Sequence, residues 1–227
     1  MKNVQFTTDL SIIVQLITGI IGFQGLLINL SEKHQILHSV LTLETIVQSI
    51  EFFFYIYFLR SMSTTALEDM AAFRYFDWVI TTPTMLLTTI IFFKYEEYLE
   101  NNVEEKLEFW DFINIHKETI IIIFVCNFFM LLFGYLGEIG AMDMKLSLIL
   151  GFIFFGMTFY TIYKNYAIHS NDAMTLFYFI FTVWGIYGIA ALMPTHIKNN
   201  MFNILDIFAK NFFGVYLYYR ITKVIKE

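Results

Sequence analysis

Apolar residues in this chain come in stretches of about 20, not in the alternation of a half-buried strand or the one-sided stripe of a surface helix. They occupy roughly residues 8–30, 36–59, 70–93, 119–139, 146–166, 173–193 and 201–222. At about 1.5 Å of rise per residue, each stretch spans the roughly 30 Å of hydrocarbon in a bilayer. The pattern predicts an all-α bundle of seven transmembrane helices. The few polar residues inside these stretches fall at helical spacing. Glu44, Gln48 and Glu51 stand at i, i+4 and i+7 in the second helix, and Ser11 and Gln15 at i, i+4 in the first. Arg74, Asp77, Thr81 and Thr88 run down one face of the third. In the seventh, Asp206 precedes Lys210 by one turn, and Asn203 and Asn211 add amides.

Composition sets the solvent. Of 227 residues, 58% are hydrophobic and 19% aromatic, more apolar surface than a soluble domain of this size covers. The lipid bilayer is therefore the expected partner, and residues 1–227 read as one membrane domain without room for a soluble catalytic unit. The sequence shows no nucleotide-binding glycine loop, metal-ligand cluster, internal repeat or low-complexity tract. Enzymatic, metal-binding and nucleic-acid roles are not expected; transport, signalling and light sensing remain. A homo-oligomer is left open.

Charge sets orientation. With the N-terminus outside, the inner side carries Lys33, Lys94, Lys106, Lys117, Lys164, Arg220, Lys223 and Lys226, against Lys2, Arg60, Lys145 and Lys198 outside. Basic residues favour the inner face, which predicts an outside N-terminus and a cytoplasmic C-terminus. The opening MKNVQFTTDLS lacks the basic region and cleavage site of a signal peptide, so the first helix is expected to stay. Cys126 is the sole cysteine, which excludes an intrachain disulfide. The sizeable loop from Lys94 to Lys117 holds Glu96, Glu97, Glu100, Glu104, Glu105, Glu108 and Asp111. It reads as a solvated, partly helical acidic segment, with a cation-attracting vestibule or a docking surface as alternatives.

Lys210 carries the sharpest chemical signal. It lies inside LDIFAKNFFGVYLYY, flanked by apolar residues on both sides, while Arg220, Lys223 and Lys226 already mark the membrane exit. A snorkelling lysine fits that position poorly, and an intramembrane ammonium costs several kcal/mol unless it is paired or used. A buried lysine is also the side chain that forms Schiff bases with aldehydes, so the Asp206/Lys210 pair suggests a covalently held chromophore. On the third helix, Arg74 and Asp77 read either as an intrahelical ion pair or as a carboxylate facing a protonated Schiff base with an Arg keeping it ionised. Two acids, Asp77 and Asp206, would then balance two bases, Arg74 and Lys210.

FRYFDWVITTP (Phe73 to Pro83) together with LDIFAKN (Leu205 to Asn211) resembles the microbial, or type 1, rhodopsins over essentially the whole chain. The resemblance implies a seven-helix bundle of that type, with all-trans retinal bound as a protonated Schiff base on Lys210 and Asp77 and Asp206 as counterions. It also implies pocket positions at Trp78, Thr82, Asn127, Met130, Gly134, Trp184 and Tyr187. Two positions depart from the family pattern. The helix-five tryptophan is missing, with Leu150 or Phe154 expected in its part of the wall, and Gly188 replaces the helix-six proline.

Outward proton pumps of the family commonly place a carboxylic acid where this chain has Thr88, and a hydroxyl cannot donate that proton. LMPTHIKNN at the ends of helices six and seven supplies Lys198 but no carboxylate for a release pair. Polar residues converging from helices one, two, three and seven instead look like the lining of an interrupted aqueous path, whose acids favour cations. Glu44 and Glu51, seven apart, and Asn211 directly after Lys210 resemble the cation-conducting channelrhodopsins. Ser11, Gln15, Glu44, Glu51, Lys198, Asn199 and Asn203 resemble more closely the channel-forming rhodopsins of giant algal viruses. The expected path comprises these residues with Gln48, Arg74 and Asn211, and carries monovalent cations or protons. A light-gated cation channel is the leading expectation, with a slow outward proton pump and a sensory photoreceptor as alternatives.

Overall fold

The computed structural model describes residues 2–62 and 67–226; residues 1, 63–66 and 227 of the expected single domain lie outside it. The helices are α1 (Lys2–Leu26), α2 (Ile36–Ser61), α3 (Leu67–Glu100), α4 (Phe109–Glu138), α5 (Met144–Asn165) and α6 (Asn171–Ala190). The seventh, α7, runs through Thr195–Asp206, a π-helical turn at Ile207–Asn211, and Phe212–Val224 without a break. Among the described residues no strand occurs, as the apolar pattern predicts. Six of the helices are long and apolar enough to cross a membrane. The other is α7, which carries Lys198, Asp206 and Lys210.

Successive helices pack side by side from α1 to α6, and α7 closes the ring against α1, α2, α3 and α6. The polarity of the bundle is inverted relative to a soluble protein. Phe6, Ile13, Phe53, Phe76, Ile121 and Ile149 face outward, whereas Glu44, Glu51, Arg74, Asp77, Asp206 and Lys210 are buried. Polar side chains gathered inside an apolar shell are the arrangement a bilayer enforces. Seven crossings leave the chain's two ends at opposite ends of the bundle, here called the amino and carboxyl ends.

Local chemistry sets several boundaries. Asp143 caps α5, accepting from the backbone N–H groups of Lys145 and Leu146, both at 3.1 Å. Gly140, at φ +71°, makes the left-handed turn after α4 that a side chain would resist. The acidic segment is partly helical, and its non-helical part is short. α3 continues to Glu100 and α4 begins at Phe109, so the expected loop between Lys94 and Lys117 shrinks to residues 101–108. Apolar stretches mark the hydrocarbon-crossing part of a helix, and both helices run on beyond it.

Candidate functional site

Lys210 sits in the π-helical turn of α7, 2% exposed, at the meeting point of α2, α3 and α7. A π turn is rare and concentrates at functional sites. Lys210 Nζ donates to Asp77 Oδ2 at 2.6 Å and lies 3.4 Å from Glu51 Oε1 and 3.8 Å from Asp206 Oδ1. Two cations, Lys210 and Arg74, thus face three carboxyl groups rather than the expected two. A neutral cluster holds one proton among the three, and neutrality is what a low-dielectric interior favours.

Arg74 does not pair with Asp77, as helical spacing alone suggested. Side chains lean toward the start of their helix, which carries the Arg74 guanidinium away from Asp77 and across to α7. There Nη1 donates to Asp206 Oδ2 and to Tyr55 Oη, both at 3.1 Å, and Nη2 donates to Asn203 Oδ1. The guanidinium lies over the Phe58 ring, 4.5 Å from its centroid. Asp206 is held from three sides, because Tyr55 and Tyr187 also donate to it, each at 2.7 Å. Tyr55 was missed in the sequence, although it stands four residues after Glu51 and extends the Glu44, Gln48, Glu51 stripe.

Beside this cluster lies a cavity that Lys210 itself lines. Trp78, Thr82, Met130, Gly134, Trp184 and Tyr187, the positions that the resemblance implies, are among its lining residues. Asn127 stands behind the wall, donating to Thr82 Oγ1 at 2.8 Å. Leu150 and Phe154 do not take the expected place. α5 presents Ser147, Leu148, Gly151, Phe152 and Phe155 to the cavity, one helical face, whereas Phe154 is rotated off it and stacks on Phe129 of α4, centroids 5.2 Å apart. Two glycines admit neighbouring rings. A Cβ on Gly134 would come within 2.7 Å of Tyr75 Oη, and one on Gly188 would overlap the Phe152 ring. The lining is mostly apolar and aromatic with one amine, and Asp77 Oδ1 next to that amine has no hydrogen-bond partner. These residues fit retinal joined to Lys210, whose Nζ here stands for the nitrogen of that linkage.

The expected path residues divide into three groups. Glu51, Arg74 and Asn203 belong to the Lys210 cluster, and Asn203 also donates to Thr7 and Thr8 of α1 at 2.8 and 3.0 Å. Toward the carboxyl end, Asn211 accepts from Thr18 at 2.6 Å, and Gln15 is buried with both amide atoms unpartnered. Gln48 presses on Gly214, where a Cβ would overlap its amide. Glu44 accepts a hydrogen bond from Thr88. Toward the amino end, Ser11 donates to the Asn203 carbonyl at 3.0 Å, and Asn199 donates to the Leu67 carbonyl at 3.1 Å. Lys198 finds a carboxylate after all, Glu138 of α4 at 2.7 Å, which no pattern within helices six and seven could reveal. Nor is Arg220 a free marker of the membrane exit; it is 6% exposed and forked onto Glu96, itself 3% exposed and not a solvated loop residue.

The profile of the bacteriorhodopsin-like proteins matches residues 6–224. The crystal structure of the viral rhodopsin OLPVRII superposes with a TM-score of 0.82 at 29% identity, covering 97% of this chain and 98% of that one. A blue light-absorbing proteorhodopsin from Med12 gives 0.75 at 18% identity, with 99% of each chain covered. Acetabularia rhodopsin I gives 0.75 at 15%, covering 100% of this chain and 97% of the other. No curated protein sequence matches the chain.

Proposed function

The chain belongs to the bacteriorhodopsin-like protein family, and from that premise we propose that it binds all-trans retinal through Lys210 and conducts monovalent cations or protons when illuminated. It is an integral, multi-pass membrane protein; the amino end is assigned to the outside by the basic residues grouped at the carboxyl end. When bound, retinal supplies the absorption of light and the change of shape that follows. The remaining work falls to the chain. Asp77 Oδ2, at 2.6 Å, is the nearest acceptor for a proton leaving the Lys210 nitrogen. Asp206, fixed by Tyr55, Tyr187 and Arg74, acts as a stationary charge. Once the nitrogen loses its charge, the attraction holding Glu51 at 3.4 Å disappears.

The observation that carries the channel reading is the column of buried polar side chains joining that cluster to α1, α2 and α7. Gln15, Gln48, Glu51 and Asn211 are all buried, and each keeps at least one polar atom without a hydrogen-bond partner in the protein. Buried polar groups are ordinarily satisfied, so such a column suits passing water and ions better than dry packing. One contact favours a second reading, a slow outward proton pump. Glu44 places a carboxyl group beside Thr88, where α3 itself offers only a hydroxyl. Illumination under voltage clamp separates the two. A channel current reverses with voltage and ion gradient, whereas a pump current stays outward.

A further inference from the structure

α3 outruns its apolar stretch by almost two turns, and those turns reach two other helices. The stretch ends near Phe93, yet the helix continues to Glu100, which places Glu96 and Glu100 one turn apart on one face. Glu96 takes a two-pronged contact from Arg220 of α7, with Nε 2.9 Å from Oε1 and Nη2 2.6 Å from Oε2. A guanidinium–carboxylate fork fixes distance and plane together, and burial spares it the screening that weakens surface pairs. Glu100 reaches α6 instead. It accepts the backbone N–H of Asn171 at 2.9 Å and the Asn171 side-chain amide at 2.8 Å. Asn171 opens α6, so this carboxylate satisfies an N–H that a helix start leaves without an intrahelical partner, at the positive end of the helix dipole.

Level with these contacts and just inside them lies a layer without polar atoms on its side chains. Val40 and Leu41 of α2, Ile90 and Ile91 of α3, and Leu217 and Ile221 of α7 are each 0% exposed. The polar column ends at Glu44 and Thr88, on the inner side of that layer. An ion that has come so far meets hydrocarbon, and α7 supplies one wall of it.

We propose that Glu96–Arg220 and Glu100–Asn171 form a two-point clasp that holds this apolar layer shut, so that α6 and α7 must let go of α3 before ions pass the carboxyl end. The clasp deepens the channel reading and rests on it only for the passage of ions; its grip is a property of the protein in the dark. Because each glutamate holds a different helix, cutting one leaves the other in place. The two contacts therefore carry separate signatures.

Hydrogen–deuterium exchange of the retinal-loaded protein, kept dark in lipid nanodiscs, reads both. Glu96→Gln should speed amide exchange over residues 217–224 about tenfold while leaving the start of α6 unchanged, because a buried charge-assisted hydrogen bond is lost. Glu100→Gln should speed exchange over residues 171–175 by about twofold to threefold, less because Glu100 is exposed. Glu100 faces solvent, so this variant keeps the interior intact and reports even where Glu96→Gln fails to fold. Wild-type exchange at α6 in Glu100→Gln overturns the clasp, as does an increase spread evenly over all helices. Local increases in a protein that passes no photocurrent uphold the clasp and overturn the channel reading alone.

Discussion

Replacing Asp77 by Asn removes a negative charge 2.6 Å from the Lys210 nitrogen while keeping size and shape. At an effective dielectric constant of about 20, a charge at that distance stabilises the positive nitrogen by about 6 kcal/mol. The corresponding figures are about 5 kcal/mol for Glu51 at 3.4 Å and about 4 kcal/mol for Asp206 at 3.8 Å, each if fully ionised. Asp206 counts for less still, because Arg74 lies 3.1 Å from it and cancels part of its field. Excitation moves positive charge away from the nitrogen, so an ionised carboxylate lowers the ground state more than the excited state. Asp77→Asn should therefore shift the visible band to the red, by a transition energy of at most about 6 kcal/mol, and by more than Asp206→Asn. Acid titration of the unmodified protein should move the band the same way, since protonating Asp77 removes the same charge. Absorption spectra of the two purified variants, each with circular dichroism to confirm the fold, provide the comparison. A larger red shift in Asp206→Asn than in Asp77→Asn would refute the ranking by distance and transfer the leading role to Asp206.

Lys210→Ala should give a folded, helical protein with no visible band in the presence of retinal; a band that still bleaches with hydroxylamine would remove Lys210 from the linkage. Gly188→Ala pushes a methyl group into the Phe152 ring, a crowding worth about 1–3 kcal/mol, and should lower retinal uptake measured as regenerated absorbance. Unaltered regeneration would mean the ring has room to turn. Glu44→Ala should change photocurrent amplitude or reversal potential with little change of colour, since Glu44 stands two turns, about 10 Å of helix, from Glu51. Glu51→Ala should change both, because Glu51 touches the Lys210 cluster; currents that stay outward and unchanged in both variants favour the pump.

The helices and the need of Lys210 for a partner were legible because both are local statements. Twenty apolar residues declare a crossing wherever they occur, and one ionisable group within such a stretch demands a partner. Contacts between helices were not legible from spacing. Arg74 and Asp77 share a face, yet the reach of the arginine side chain toward its own helix start decides for Asp206. Glu96 read as part of a solvated acidic segment and Glu138 carried no signal of its own; only the approach of α7 gives them Arg220 and Lys198. Phe154 was misplaced for a similar reason. Its neighbour Phe155 reaches the cavity, and a shift of one residue turns a side chain by about 100° around the helix.

Gly214 lies one turn beyond Lys210, and the Gln48 amide fills the space its missing side chain would occupy. Gln48 in turn stands three residues from Glu51 and four from Glu44. Close-packed interiors have little compressibility, so a displacement of the α7 backbone at that contact passes to α2 without slack. Gln48 is in effect a cam follower, riding on the bare backbone of the helix that bears the lysine. The two glutamates are carried on the same rigid shaft, so a sub-ångström movement at Lys210 arrives at both together rather than in sequence.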